Sequence, residues 1–331
     1  MSGGTVSENR QAAMRGARPG GEPFAELCRK VVVLITEDWF ALSHFRPLIG
    51  LLKEIAREVV VVTRSSGRLG EIEALGVRVI DFDYRRSSSN PAREAASAWA
   101  LARILEAEAP DVVHLVAMKP VILGGLALKL VPSRHVVVHM TGLGLLGFGT
   151  GALLRLYRAG ALRLMASMLR RPGSYLLVEN SDDLALLRGR GVDPGARFAI
   201  LGGAGVDPQA FAALPPPGND VPIAAFVGRM IRPKGIDVLM QAHGTLRQRG
   251  TALRLELYGA ADADNPEAIT ADVLTAWCAQ HEARWLGHVA DVQEVWRHAD
   301  IFVLPARSRE GMPRALLEAC LLYTSPSPRD S

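Results

Sequence analysis

The chain has 331 residues, which is enough for two domains, and its 49% hydrophobic and 22% charged residues are ordinary for a globular enzyme. The formal net charge of +4 is too small to indicate nucleic-acid binding, and 6% aromatic residues offer little for base stacking. The three cysteines form no C-x-x-C pair and are expected to be free thiols in a reducing compartment; they are Cys28, Cys278 and Cys320.

Residues 1–29 are rich in Gly, Arg, Ala and Ser, and we expect them to form a disordered arm. They contain no long apolar run of the kind that a signal peptide requires. No stretch of about 18 uninterrupted apolar residues follows, so no membrane-spanning helix is expected. These features favour a cytoplasmic protein and leave contact with a membrane surface open.

Apolar, strand-like runs then alternate with helical segments. They are continuous Val, Ile and Leu runs, which is typical of parallel sheets covered on both faces. The first series of predicted strands comprises residues 31–36, 59–63, 77–82, 112–116, 136–140 and 175–178, and the second comprises 223–227, 253–258, 284–286 and 301–304. A Pro- and Gly-rich stretch at 205–221 predicts a linker between an α/β domain at 30–204 and another at 222–319.

A pair of cations follows the first strand of the second series. That strand ends at Gly228, and Arg229 and Lys234 stand five residues apart before a predicted helix. Arginine offers a planar fork for phosphate oxygens and lysine a mobile point charge, so the pair is suited to a diphosphate. Two solvated loop cations are the alternative interpretation.

Two glutamates flank the start of the last predicted helix. The sequence EGMP begins at Glu310, and Glu318 comes eight positions later, on nearly the same helical face. Pro313 suits the first turn of a helix, whose free N–H groups can face an anion. An ordinary helix with a solvated acidic face is the alternative.

These motifs, together with the tetrapeptide WLGH that ends at His288, resemble the donor-site elements of glycosyltransferase family 4. Members of that family are retaining enzymes with the GT-B fold. The resemblance spans about residues 30–319 and is more specific in the second series of strands. It implies an α/β architecture in which two Rossmann-like domains with parallel sheets face a cleft, the first binding the acceptor and the second the nucleotide-sugar.

The resemblance also implies roles for individual residues. Arg229 and Lys234 would bind the nucleotide diphosphate, Glu310 would contact the donor sugar, and Glu318 would bond the ribose hydroxyls. The other implied donor-binding positions are Gly228, Gly259, His288, Gly311, Met312 and Pro313. No metal ion and no other cofactor is expected.

The first series of strands supplies candidates for the cleft or the acceptor. The loop after the first strand would face the cleft in a GT-B enzyme, which makes Ser43 and His44 candidates, although a solvated loop is an equally good interpretation. Lys119 lies in HLVAMKP, and similar segments occur in the family 4 subgroup that builds bacterial surface polysaccharides and lipid-linked oligosaccharides.

His139, Thr141 and Gly142 are further cleft candidates after the fifth strand. Thr141 stands where many family 4 enzymes have a histidine, and it cannot carry a proton in that residue's place. Gly142 also begins a G-x-G-x-x-G match, but the dinucleotide fingerprint needs an acidic residue about 20 positions later. Because no Asp or Glu occurs between Asp111 and Glu179, NAD binding is disfavoured.

Residues 155–171 lie in this acid-free window and combine arginines with an apolar stripe. A core helix with arginines outside is the simpler explanation. A basic amphipathic helix also suits an anionic bilayer, and the resemblance points to acceptors on polyprenyl diphosphate. We therefore expect peripheral contact with the inner face of the plasma membrane.

The sequence predicts a retaining glycosyltransferase that uses a UDP-sugar, such as UDP-linked N-acetylgalactosamine, N-acetylglucosamine or galactose, in bacterial surface glycan synthesis. The alternatives are a sugar-nucleotide epimerase of the same fold and an inactive nucleotide-sugar-binding fragment. Residues 320–331 do not continue the family pattern, and we expect them to be an aberrant tail after a truncated second domain with an exposed sheet edge.

Overall fold

Two parallel β-sheets form the framework of the computed structural model. It describes residues 28–84, 91–142, 152–206, 208, 211, 215–261, 265, 267–307 and 312–322. Most of the predicted arm, the predicted tail from 323 onward, and the candidates Glu310 and Gly311 lie outside these residues.

Helices connect the seven strands of the first sheet. In chain order its elements are β1 (Lys30–Glu37), α1 (Asp38–His44), α2 (Arg46–Ile55), β2 (Glu58–Arg64), α3 (Leu69–Glu73), β3 (Arg78–Asp81), α4 (Pro91–Glu108), β4 (Val112–Val116), α5 (Met118–Leu130), β5 (His135–Met140), α6 (Ala152–Leu169), β6 (Ser174–Val178), α7 (Ser181–Gly189) and β7 (Phe198–Ile200).

The second sheet has four strands. Its elements are β8 (Ile223–Val227), a 3-10 turn (Arg232–Lys234), α8 (Ile236–Gln248), β9 (Arg254–Tyr258), α9 (Ala271–His281), β10 (Arg284–Trp285), α10 (Val292–His298), β11 (Ile301–Phe302) and α11 (Arg314–Leu322). α11 extends three residues into the stretch predicted to be a tail, and Leu322 at its end is buried.

The strand order explains where a site can form. The first sheet runs β3-β2-β1-β4-β5-β6-β7 and the second β10-β9-β8-β11, with parallel pairing throughout. The order therefore reverses between β1 and β4 and again between β8 and β11. Open α/β sheets bind ligands at the carboxyl ends of strands beside such reversals.

Both faces of the first sheet are covered, which accounts for its continuous apolar strands. In β1, Val32 and Leu34 join the core formed with α4, α5 and α6. Val31, Val33 and Ile35 point to the opposite face and pack with α1, α2 and α3. Burying a valine or leucine side chain contributes about 1.5–3 kcal/mol, so this central strand anchors the sheet.

The ten predicted strands and the α/β class are confirmed, with strand bounds within two residues of those observed. The prediction missed β7, a three-residue edge strand too short to show a pattern. Residues 205–221 fall between β7 and β8, and their assignment as a domain boundary stays a prediction. None of the helices in the described part of the chain is long and apolar enough to cross a membrane.

Candidate functional site

Loops at the carboxyl ends of strands in the two sheets contact one another. The backbone N–H of Met312 in the second half donates to Glu179 Oε2 in the first half at 3.2 Å. Met312 also packs against Gly203, since a Cβ added to that glycine would lie 2.5 Å from the Met312 Cβ. The carboxyl-end loops of both sheets therefore border the same space.

His44 lies among three cations at this junction. It ends α1, directly after β1, and its Nδ1 is 2.7 Å from Ser43 Oγ. Burial and, after it, the positive charges of Arg314, Arg229 and Lys234 together lower the pKa of His44 to about 4. The imidazole is thus neutral at pH 7, and it feels the charges of cations from the loop after β8 and from the start of α11.

Arg314 belongs to this cluster although the sequence motifs did not identify it. The signal available in the sequence was its i,i+4 spacing with Glu318. The structure realises that pair, with Arg314 Nε donating to Glu318 Oε1 at 2.7 Å. The pair places a cation beside a carboxylate at the first turn of α11.

Glu318 is buried rather than displayed on a solvated face. Burial raises the pKa of its carboxyl, and Arg314 and the Trp296 indole act in the opposite direction. The Pro313 carbonyl accepts hydrogen bonds from the amides of Leu316 and Leu317, at 3.1 and 3.3 Å, so Pro313 borders the first turn as predicted. The solvated-helix interpretation does not fit this geometry.

Close backbone approach fixes the ends of β8 and β9. Gly259 has φ +147°, and a Cβ there would lie 1.8 Å from the Gly228 carbonyl oxygen. Gly235, with φ +73°, follows Lys234, and a Cβ there would lie 2.1 Å from the Pro305 carbonyl oxygen. Only glycine fits these positions without a backbone shift, so the loop that carries Arg229 and Lys234 is held against its neighbours.

The WLGH segment is tied to the same loop ends. The Trp285 indole donates to the Gly259 carbonyl at 2.8 Å, and the Gly259 amide donates to the Gly287 carbonyl at 2.7 Å. His288 follows and is exposed. The structure therefore brings Gly228, Gly259 and His288 to one edge of the second sheet.

Asp38, which no motif identified, supports the loop that carries His44. It is fully buried and accepts from the amides of Trp39, Ser66 and Arg68 at 2.6, 2.7 and 2.9 Å, as well as from the Ser66 hydroxyl. Burial by itself raises the pKa of Asp38, but these hydrogen bonds outweigh it and lower the pKa below its usual value. Asp38 thus joins the loops after β1 and β2.

His139 lies below the cleft surface rather than on it. It is buried in β5, with its Nδ1 3.2 Å from His114 Nε2 in β4, and its ring meets Phe45 edge-on. Burial lowers the pKa of His114 to about 3, with His139 adding to the effect, and burial lowers that of His139 to about 4. Both rings are neutral. Thr141 and Gly142 follow at the end of the described β5 segment and are half-buried.

Lys119 is engaged by a carboxylate. Its Nζ lies 2.5 Å from Glu94 Oε1, and both side chains are less than one-fifth exposed. The other oxygen of Glu94 is buried without a hydrogen-bond partner in the described structure. Ala117, just before α5, has φ +68°, a strained value for a residue with a Cβ. Lys119 is therefore half of a buried ion pair rather than a solvated cation.

The helices α4, α5 and α6 share an outer surface, here called the α4–α6 face, that mixes apolar and basic groups. Leu156 is 67% exposed, Leu130 62% and Trp99 60%. Four exposed cations lie on or beside these helices: Lys129, Arg155, Arg163 and Arg170. Ala161, Met165 and Met168 of α6 face the core, which confirms an amphipathic helix.

Two family models match successive parts of the chain. The model described as glycosyl transferase 4-like matches residues 30–169, and the model described as glycosyl transferases group 1 matches residues 221–324. The first match contains β1 to β5, and the second contains all four strands of the second sheet.

The chain is also similar to individual proteins. It is 24% identical over 294 residues to the N,N'-diacetylbacillosaminyl-diphospho-undecaprenol alpha-1,3-N-acetylgalactosaminyltransferase of Campylobacter jejuni, covering 84% of this chain and 75% of that one. HepE from Anabaena, solved with UDP-glucose, matches with a TM-score of 0.67 at 16% identity over 88% of this chain and 78% of its own. A glycosyltransferase from Rickettsia africae matches with 0.62 at 16% identity, over 89% and 77%. At these identities the structural matches show the fold alone.

Proposed function

Because this chain belongs to the family 4-like glycosyltransferases with the GT-B fold, we propose that it transfers a sugar from a UDP-sugar to an acceptor carried on polyprenyl diphosphate. One observation supports the donor part of this proposal: the positive charges of Arg229, Lys234 and Arg314 all act on the neutral His44 side chain. A diphosphate is the part of a nucleotide-sugar that such a cluster suits.

The reaction breaks the bond between the anomeric carbon and a phosphate oxygen, and the diphosphate departs with the electron pair. An acceptor hydroxyl forms the new bond to that carbon, and its proton passes to the departing phosphate. The cations stabilise the charge that develops on the diphosphate, so the proposal requires no metal ion. Glu318 binds the ribose, Glu310 the sugar, and transfer proceeds with retention.

The acceptor half rests on the Campylobacter relative, whose name specifies a diphospho-undecaprenol acceptor and an N-acetylgalactosaminyl donor group. We therefore place UDP-N-acetylgalactosamine first among the donors to test. The α4–α6 face supports peripheral contact with an anionic membrane, where such an acceptor resides, because it combines exposed apolar side chains with cations.

The test is a donor screen that measures nucleoside diphosphate release, with a sugar-diphospho-polyprenol acceptor in anionic vesicles. Arg229→Ala or Lys234→Ala should each lower kcat/KM about 100-fold or more, the typical loss when one oxyanion-stabilising group is removed. Arg297→Ala is the matched control, since Arg297 is exposed on α10 and pairs with Asp291.

Near-parental kcat/KM in both variants would refute the donor-site assignment. A changed donor sugar in the absence of acceptor would indicate an epimerase instead, and UDP binding without turnover would indicate a binding protein. Analysis of the anomeric configuration of the product tests retention separately.

A further inference from the structure

Arg314 is the cation with the strongest effect on His44, ahead of Arg229 and Lys234. Its side chain is one-third exposed, and its Nε is held by Glu318 at 2.7 Å. Among the residues that the structure describes, none accepts a hydrogen bond from its two Nη groups. Within that part of the chain, Arg314 thus presents a planar fork that Glu318 holds at one end, the arrangement that suits phosphate oxygens.

Three carboxylates on segments that carry or contact these cations each have a partner, although Asp237 Oδ1 has none in the described structure. Glu318 accepts from Arg314 itself, Asp237 accepts from Arg307 at 2.8 Å, and Glu179 accepts from the Met312 amide at 3.2 Å. From the first half of the chain, the neutral ring of His44 lies within the electrostatic reach of all three cations. Like charges held on the loop after β8 and at the start of α11, near a neutral group, create a positive potential that favours an anion between them.

We propose that Arg314 is a third diphosphate-binding residue, oriented by Glu318 through its Nε and binding phosphate oxygens of the donor through its Nη groups. This inference rests on the proposed function and extends it to a residue to which the sequence motifs assign no role. It also gives Glu318 two tasks, since the carboxylate that would bind the ribose holds the side chain that binds the diphosphate. One salt bridge, between Glu318 and Arg314, then connects the residue that would bind the ribose with the residue that would bind the diphosphate.

Isothermal titration of UDP, UMP, uridine and inorganic pyrophosphate tests the proposal. Arg314→Ala should weaken UDP and pyrophosphate binding about 10- to 100-fold, the loss expected for hydrogen bonds to a charged group, while uridine affinity changes less than about two-fold. Arg314→Lys keeps the charge without the fork and should fall between the alanine variant and the parent. Arg297→Ala should match the parent for all four ligands.

A second variant and a stability measurement show whether Arg314→Ala has lost affinity because its site is misfolded. The double variant Arg314→Ala/Glu318→Gln removes the buried carboxylate charge that Arg314→Ala leaves without its partner, and thermal unfolding reports the integrity of each variant. Parental UDP affinity in Arg314→Ala, or an equal loss for uridine and UDP in that variant, would overturn the inference; the double variant also removes the proposed ribose ligand and therefore reports on stability alone.

Arg229→Ala separates this inference from the proposed function. If Arg229→Ala loses UDP affinity while Arg314→Ala does not, the donor site stands and the role of Arg314 is wrong. If neither variant changes the affinity, or if the parent binds neither UDP nor pyrophosphate, the donor-site assignment is wrong. The proposed role of Arg314 is then wrong as well.

Discussion

Replacement of Asp38 tests whether the buried carboxylate holds the His44 loop in place. Three backbone amides and the Ser66 hydroxyl donate to this side chain, which has no exposed surface. A hydrogen bond to a charged group contributes about 1.5–3 kcal/mol, and such contributions are not additive. Since each buried donor left without an acceptor costs about 1–3 kcal/mol, we expect Asp38→Ala to lose about 3 kcal/mol or more of the free energy of unfolding.

Asp38→Asn should lose about 1–3 kcal/mol, because its amide keeps one accepting oxygen but turns an NH2 group toward backbone donors. Urea unfolding at pH 7 measures both variants, with Asp220→Asn, at an exposed position, as the control. The same proteins should bind UDP more weakly than the parent, because α1 begins at Asp38 and ends at His44.

The pH dependence of the stability difference between the parent and Asp38→Ala can refute this reasoning. The pKa of Asp38 is lowered in the folded state, so its stabilisation is complete above the unfolded value near 3.9 and is lost as pH falls below it. The difference between parent and Asp38→Ala should therefore shrink below about pH 4. A difference within about 0.5 kcal/mol at pH 7, or one that stays constant down to pH 3, would show that the carboxylate does not support the loop.

Two further predictions concern the buried histidines and the α4–α6 face. The parent should lose stability as pH falls from about 6.5 to about 4, because the folded-state pKa values of His114 and His139 are lowered to about 3 and about 4 and only the unfolded chain takes up protons in that range. His114→Phe/His139→Phe should reduce this loss and leave the contribution of His44, whose pKa is also lowered to about 4; an unchanged pH profile in urea titrations would contradict the argument. Leu156→Glu should reduce co-sedimentation with anionic vesicles several-fold at low salt, whereas Leu51→Glu, at a 53% exposed leucine on the opposite side of the sheet, should not. Equal binding of the parent to neutral and anionic vesicles would count against membrane contact.

The sequence was sufficient for features that depend on local pattern. Continuous apolar runs located ten strands, and the spacing of Arg229 and Lys234 located the loop after β8. Strand 112–116 was correct to the residue because its buried apolar run begins directly after Asp111. A three-residue strand such as β7 leaves too short a pattern to recognise.

Features that depend on distant pairing could not be predicted. Asp38 follows a buried strand like many loop carboxylates, and only the fold brings the amides of Ser66 and Arg68 to it. Lys119 was expected to be a site cation, and only the packing of α4 against α5 shows that Glu94 holds it. His44 and Arg314 come from opposite halves of the chain, and no sequence spacing relates them.

The position of His44 gives the first half of the chain a part in the proposed donor site. The three positive charges of this cluster, on Arg229, Lys234 and Arg314, repel one another. The fold holds them in place despite this repulsion, because close backbone contacts fix the loops around Gly235 and Gly259. A cation at position 44 would add to that repulsion, whereas a neutral imidazole whose Nδ1 accepts from the Ser43 hydroxyl carries its proton on Nε2 and can donate it to a phosphate oxygen. On the proposed function, the diphosphate is therefore held between a cationic wall from the second sheet and a neutral hydrogen-bonding group from the first. Donor binding then depends on the two halves keeping their relative position, which is how a transferase of this fold can couple donor binding to the arrangement of its acceptor side.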